Sequence, residues 1–298
     1  MMKEKTVLAL GFFDGIHIGH GALLDTAKRR AAALGAEPVV LTFDIHPDTF
    51  VKHVSVPLIN SAADRNYIVR RWYGIDAVRY IHFNEQTMRL PWRDFLANVC
   101  RKYAPAHFVV GGDFTFGYRG EGNGERLRAW CAENGLGCDV IPLVARNGVI
   151  VSSTEIRGML TRGALREAND FLGHPHILTD TVRSGFHIGR TLDYPTVNMR
   201  FEDGVLVPRH GVYVSRVLLP NGETRTGVTN IGVRPTFDGD RVTVETHILD
   251  YGADLYGERL CVELLHFQRP ERRFDGPDAL REQIRLDAAA ARAYFEQK

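Results

Sequence analysis

Cysteine is scarce in this chain. Four occur in 298 residues, Cys100, Cys131, Cys138 and Cys261, and none forms a Cys-x-x-Cys pair. That spacing lacks the usual zinc and thiol-redox signatures and reads as reduced thiols acting as small buried hydrophobes. Net charge is equally scarce: 37 Lys and Arg stand against 36 Asp and Glu. A field strong enough to hold nucleic acid is therefore not expected, although a local basic pocket for phosphates is allowed. No apolar run approaches the ~20 residues that span a bilayer. The apolar run at residues 7–10 is too short for a signal-peptide core, and the chain is expected to be cytoplasmic. Internal repeats and low-complexity segments are missing. So are the Gly-x-x-x-x-Gly-Lys-Ser/Thr loop of P-loop kinases and the His-Glu-x-x-His zinc signature.

What is present suggests two domains. The length suits two, and 44% hydrophobic with 24% charged residues is ordinary for globular proteins. The first half alternates strand-like runs, at 5–11, 37–43, 77–83, 107–111 and 137–144, with helical stretches. The helices are expected at 19–34, 62–73 and 125–134, with another opened by Pro91 at its first position. Such alternation predicts a parallel sheet with helices on both faces and ligands beyond the carboxyl ends of the strands. After a helical stretch from Ala164 the pattern changes near Gly173. Short β-branched runs follow at 176–183, 212–220, 224–231, 242–249 and 260–267, punctuated by Pro220-Asn221-Gly222 and Asp238-Gly239-Asp240. These predict an antiparallel barrel or sandwich, closed by a helix over 277–296. The expected domains are 1–172 and 173–298.

The first strand runs into Gly11-Phe12-Phe13-Asp14-Gly15-Ile16-His17-Ile18-Gly19-His20. A strand, a glycine-rich turn and a helix start make an anion site, because helix N-termini offer free N–H groups and a positive dipole end. Gly11, Gly15 and Gly19 would let backbone approach a phosphate chain, and His17 and His20, three apart, could both face it. From the residues alone, helix-start histidines, a metal pair and a nucleotidyl-transfer site all remain open. The glycine cluster at 117–124 reads as a mobile loop, with a substrate cover as its second reading.

His17-Ile18-Gly19-His20 resembles the signature of the nucleotidyltransferase superfamily, and the surrounding Gly-Phe-Phe-Asp-Gly resembles its flavin branch. Thr42-Phe43-Asp44-Ile45-His46-Pro47, Val110-Gly111-Gly112-Asp113-Phe114-Thr115-Phe116-Gly117 and Ser152-Ser153-Thr154-Glu155-Ile156-Arg157 follow in that family's order. The resemblance implies a Rossmann-like α/β domain that adenylylates FMN with ATP to give FAD. It assigns His17 and His20 to catalysis. Gly11, Phe13, Asp14, Gly15, Gly19, Ser153, Thr154 and Arg157 would bind the nucleotide, and Asp113 would lie near the flavin phosphate or its metal. The chain departs from the family at Phe12, Ile45, Thr115 and Glu155, where Asn, Pro, Arg and Arg are usual. Ser152-x-x-Glu155 also fits a capping box.

The second half contains Gly189-Arg190-Thr191-Leu192-Asp193-Tyr194-Pro195-Thr196-Val197-Asn198. Thr196 and Asn198 are two apart and share a face of an extended chain. They suit Mg²⁺ held with substrate phosphates, or equally an edge strand or turn. The segment resembles the riboflavin kinase signature Phe-Pro-Thr-Ala-Asn. Gly211-Val212-Tyr213, Gly227-Val228-Thr229-Asn230-Ile231-Gly232, Arg234-Pro235-Thr236-Phe237 and Val244-Glu245-Thr246-His247-Ile248-Leu249-Asp250-Tyr251 follow in family order. This implies an antiparallel β-barrel domain with a C-terminal helix that phosphorylates riboflavin to FMN. Glu245 would be the general base, Thr196 and Asn198 the Mg²⁺ and ATP ligands, and Gly189 and Arg190 further nucleotide contacts. Asp193 replaces the family's usual glycine. ATP, riboflavin, FMN and FAD are the implied partners, with neither nucleic acid nor membrane. Loss of one activity, or a flavin-nucleotide binding protein on the same fold, are the competing readings.

Overall fold

The computed structural model describes residues 5–51, 54–183, 194–236 and 239–297. The chain divides into two compact units, Met1–Ser153 and Thr154–Lys298. The predicted contacts Gly189 and Arg190, and Asp193, lie outside the described residues.

The first unit is built on a parallel sheet. Its strands are β1 (Thr6–Leu10), β2 (Glu37–Phe43), β3 (Ala77–Ile81), β4 (Pro105–Gly111) and β5 (Gly137–Ile141), in the order β3-β2-β1-β4-β5. Every residue of β1 is buried, as a central strand covered on both faces requires. On one face Leu8, Leu10, Leu41, Phe108 and Val110 pack with Phe95, Leu96 and Val99 of α5 (Trp92–Tyr103) and Leu127 of α6 (Gly124–Glu133). Helix α1 (Ile18–Leu34) leads from β1 to β2, the short α2 (Pro47–Val51) and then α3 (Ala62–Tyr73) from β2 toward β3, and α4 (Glu85–Arg89) from β3 toward α5. After β5 the short β6 (Ala145–Arg146) and β7 (Val149–Ile150) pair antiparallel. Ser61 and Asp64 form a reciprocal capping box at the head of α3. Strand order reverses between β1 and β4, so the carboxyl ends of these strands open a crevice. Pro91 stands one position earlier than expected: α5 begins at Trp92, and Pro91 caps it in extended geometry (φ −55°, ψ 143°).

The second unit begins on α7 (Ser153–Arg162), continues through α8 (Leu165–Leu172) and enters a six-stranded antiparallel sheet. The strands are β8 (His176–Thr181), β9 (Thr196–Met199), β10 (Gly211–Leu218), β11 (Thr224–Thr236), β12 (Gly239–Ile248) and β13 (Arg259–Arg269), in the order β8-β13-β10-β11-β12-β9. The two edge strands meet. The Arg183 amide donates to the Asn198 carbonyl at 2.9 Å, and the Arg200 amide donates to Asp180 Oδ2 at 3.0 Å. The sheet thereby curls into a barrel. Inside it Ser215, Thr229 and Thr246 form a fully buried hydroxyl chain with O···O distances of 2.8 and 2.9 Å. Outside it α9 (Pro277–Glu296) lays Ala288 and Ala291 on Val212, Val214, Val228 and Leu249. Of the readings open for Thr196 and Asn198, edge strand or turn, β9 takes the edge strand. Four residues are too short for alternation to register, and pairing with β12 defines them.

His176 at the start of β8 is fully buried, and neither ring nitrogen has a partner. Burial, then the neighbouring His174, pushes its pKa down to about 3. An unfolded histidine titrates near ~6.5, so below that pH the unfolded chain binds the extra proton. The stabilisation from neutral His176 is complete above about pH 6.5 and is lost as pH falls toward 3. Thermal melts are expected to show the second unit's Tm falling between pH 7 and pH 4. His176→Phe should flatten that dependence; an identical slope in the variant would exclude His176 as its source.

Candidate functional sites

In the first unit a cavity of about 730 Å³ opens at the reversal point of the sheet. Gly11, His17, Gly19, His20, Asp113 and Ser153 line it together with an apolar wall that includes Phe12, Phe43, Phe83 and Phe116. The turn between β1 and α1 is strained: Phe13, Gly15 and Ile16 have φ of 53°, 82° and 44°. Only Gly15 adopts such a conformation freely, and a β-branched residue there is an outlier. Complete burial of the Phe13 and Ile16 side chains holds the conformation in place. Asp14 is buried too. Its Oδ1 accepts from the Ile59 amide at 2.8 Å, and its carbonyl accepts from Ser153 Oγ at 2.9 Å. Phe13, Asp14 and Gly15 therefore shape the turn from beneath, while Gly11, Gly19 and the two histidines border the cavity.

His17 caps α1. Its Nδ1 accepts from the His20 amide at 3.3 Å, which leaves the neutral ring its proton on Nε2. The two rings stack 3.7 Å apart at 14°. Burial, then His17, then the Arg65 guanidinium lower the His20 pKa well below the usual histidine value, so the ring stays neutral near pH 7. Its Nδ1 is buried and unpartnered. Such a pair presents hydrogen-bond donors at a helix N-terminus, which is what a phosphate chain requires. Thr154 and Arg157 follow Ser153 on α7 and belong to the second unit. That helix starts at Ser153, leaving Ser152 in the preceding position.

The glycine cluster is folded rather than loose. Phe116 and Gly122 exchange backbone hydrogen bonds of 3.0 and 2.8 Å, and the Tyr118 amide donates to the Leu90 carbonyl at 2.8 Å. Gly117 (φ 74°) lies so close to Trp92 that an added Cβ would sit 2.5 Å from its Cα. The loop lines the cavity through Phe116, Gly117, Arg119 and Gly120.

In the second unit a cavity of about 510 Å³ is lined by Pro195, Thr196, Val197, Asn198 and a segment from Tyr251 to Tyr256. The register of β9 against β12 sets Glu245 opposite Asn198 and His247 opposite Thr196. Strand alternation puts these four on one face, opposite the buried Thr246. Glu245 is not among the lining residues; it stands opposite Asn198, which is. His247 Nδ1–H donates to the Pro195 carbonyl at 2.9 Å, and Tyr194 meets the same ring edge-on at 5.3 Å. The sequence reading did not assign His247 a role. Its two-residue offset from Glu245 was the available signal. In the Tyr251–Tyr256 wall only Tyr251, the end of a family block, carried one.

Among the described residues no helix is long and apolar enough to cross a membrane, and no cluster of three or more His, Cys, Asp or Glu side chains is placed to hold a metal. The family model described as FAD synthetase matches residues 1–155, and the one described as riboflavin kinase matches 172–295. A bifunctional riboflavin kinase/FMN adenylyltransferase of Listeria monocytogenes is 34% identical over 97% of this chain and 92% of its own length. The enzyme of the same description from Escherichia coli is 33% identical over 98% and 94%. A crystal structure described as a macrolide-efflux protein from Streptococcus pneumoniae superposes with a TM-score of 0.85 at 29% identity, over 98% of this chain and 95% of that one. Matched in both halves by these family models and along nearly its whole length by these relatives, the chain belongs to the bifunctional riboflavin kinase/FMN adenylyltransferase family.

Proposed function

We propose that the second unit phosphorylates riboflavin and that the first adenylylates the resulting FMN, each with ATP. The observation that carries this reading is the β9–β12 register, which sets a carboxylate beside an amide and a hydroxyl on one strand face. In the kinase reaction the terminal ribityl oxygen attacks the γ-phosphorus, Glu245 takes its proton, and ADP leaves. Thr196 and Asn198 offer neutral oxygen donors, a set that fits Mg²⁺ completing its shell with phosphate oxygens. That ion would neutralise phosphate charge in the transition state. His247, tied to Pro195, keeps the Thr196 turn in register.

In adenylyl transfer an FMN phosphate oxygen attacks the α-phosphorus of ATP and pyrophosphate departs, so no covalent enzyme intermediate forms. His17 and His20 donate to the phosphates as charge builds on the five-coordinate phosphorus. Gly11, Gly19 and Ser153 border the chain, and Asp113 lies toward the flavin phosphate. Gly189 and Arg190 add contacts to the kinase nucleotide. The functional domains are 1–172 and 173–298, and both reactions take place in the cytoplasm.

The direct test incubates the protein with riboflavin, ATP and Mg²⁺ and separates the flavins by chromatography. FMN followed by FAD is expected. FMN alone would leave the first site without activity, and tight flavin binding without turnover would make the chain a binding protein.

The kinase fragment is sensitive to where it is cut. Asn169 on α8 donates from Nδ2 to the Leu264 carbonyl and accepts at Oδ1 from the His176 amide, 2.9 and 2.8 Å. A fragment beginning at Thr154 is expected to phosphorylate riboflavin and to melt at higher temperature than one beginning at Leu172, which lacks both bonds. Equal melting temperatures would mean that α8 adds no stability.

A further inference from the structure

Arg65 on α3 is 1% exposed and stands among the largest fully buried side chains. Its Nη1 lies 3.3 Å from the Phe12 carbonyl, 3.1 Å from the Phe43 carbonyl and 3.4 Å from Thr42 Oγ1. Thr42 Oγ1 itself donates to the Phe12 carbonyl at 2.6 Å. One guanidinium nitrogen thus ties Phe12, which leads into the strained turn after β1, to the carboxyl end of β2. The guanidinium carbon lies 5.6 Å from the centre of the Phe12 ring, which lines the cavity, and 5.1 Å from that of Tyr80. Nε and Nη2 have no partner. A buried guanidinium cannot shed its proton, and two unmet donors make its burial costly. An apolar side chain of similar volume would fill the space without that cost. A fixed cation gains its advantage when an anion arrives above it, and the cavity beside Phe12 is where the phosphates are placed.

We propose that Arg65 is a positioning residue for adenylyl transfer, fixing the Phe12 carbonyl and the turn that carries the phosphates while supplying a permanent positive charge beneath them. This rests on placing adenylyl transfer at the His17/His20 cavity. Arg65 does not touch the reacting atoms; it acts through the turn and through its field. Arginine's planar fork supplies the geometry, and its charge supplies the attraction, so the two contributions separate in a lysine variant.

The test uses the full-length chain, with riboflavin phosphorylation measured on the same preparations as a check of integrity. Arg65→Met is expected to lower kcat for FAD formation about 10–100-fold, as small displacements of a bound phosphate chain do, and to raise KM for ATP. Arg65→Lys keeps the charge without the fork. It should return KM for ATP toward the wild-type value while kcat stays low. Wild-type kcat and KM in both variants would overturn the proposal. So would equal losses in both with no recovery of KM in Arg65→Lys, because a purely structural side chain gives that pattern. If Arg65→Met does not fold, Arg65→Lys decides alone, and an unchanged kcat overturns the proposal. His20→Ala serves as the control. Full FAD formation in that variant would remove the site itself, whereas loss there with intact Arg65 variants would remove only the role of Arg65.

Discussion

His20→Ala is expected to reduce FAD formation from FMN and ATP by about 10²–10³-fold, the usual cost of deleting one transition-state hydrogen-bond donor. Riboflavin phosphorylation in the same tube should continue at the wild-type rate. The reason is local. His20 stacks on His17 at the head of α1, borders the cavity at the sheet's reversal point, and has a buried Nδ1 with no partner. Alanine removes the ring and its N–H donor without disturbing the strained turn, which is held by buried Phe13 and Ile16. The lowered proton affinity of His20 adds a pH expectation. Because the folded-state pKa lies well below ~6.5, protonation of this ring should not shape the adenylyl-transfer profile between pH 8 and 6.5. The rates are read by chromatography of FMN and FAD under saturating substrates. Parallel loss of both activities would mean that the assignment of reactions to units is wrong.

Glu245→Gln is expected to give the opposite outcome. Riboflavin phosphorylation should fall by about 10²–10⁴-fold, the range for loss of a general base, while FAD synthesis from supplied FMN persists. Glutamine keeps the size and the cross-strand place beside Asn198 but cannot accept the hydroxyl proton. The barrel should remain intact, since the Glu245 face is opposite the Ser215–Thr229–Thr246 chain that fills its interior. Measurement of kcat and KM separates the roles: a base lost from the transition state lowers kcat with little change in KM for ATP. Undiminished phosphorylation would show that another group takes the proton.

Much of the fold was legible because its signals are local. Continuous apolar runs separated by amphipathic helices specify a buried parallel sheet, as β1, β2 and β4 bear out. Turn residues between β-branched runs specify antiparallel strands, and the observed sheet has them. The motif around His17 and His20 was visible because a glycine-rich turn between a strand and a helix occupies consecutive residues. Other parts of the sites were not visible, because they depend on contacts made at a distance. Arg65 is 53 residues from the carbonyl it holds and resembles any helix-surface arginine in sequence. His247 reads as an ordinary strand residue until its bond to Pro195 across the sheet is seen, a separation of 52 residues. Positive φ at Phe13 and Ile16 had no signal either, since neither residue type favours it.

The sequence by itself determined the two-part organisation and the strand and helix types. These follow from periodicity and motif, which short segments carry intact. Only the tertiary structure decided that Glu245 stands against Asn198, that His17 and His20 stack with one ring neutral, and that Asp14 turns inward to hold a loop. It also decided that the glycine cluster is laced shut against Leu90 and across Phe116 and Gly122. The physical reason is that register, burial and electrostatic environment belong to pairs of distant residues. A carboxylate comes to stand beside an amide, and an imidazole stays neutral, through what folding brings beside them.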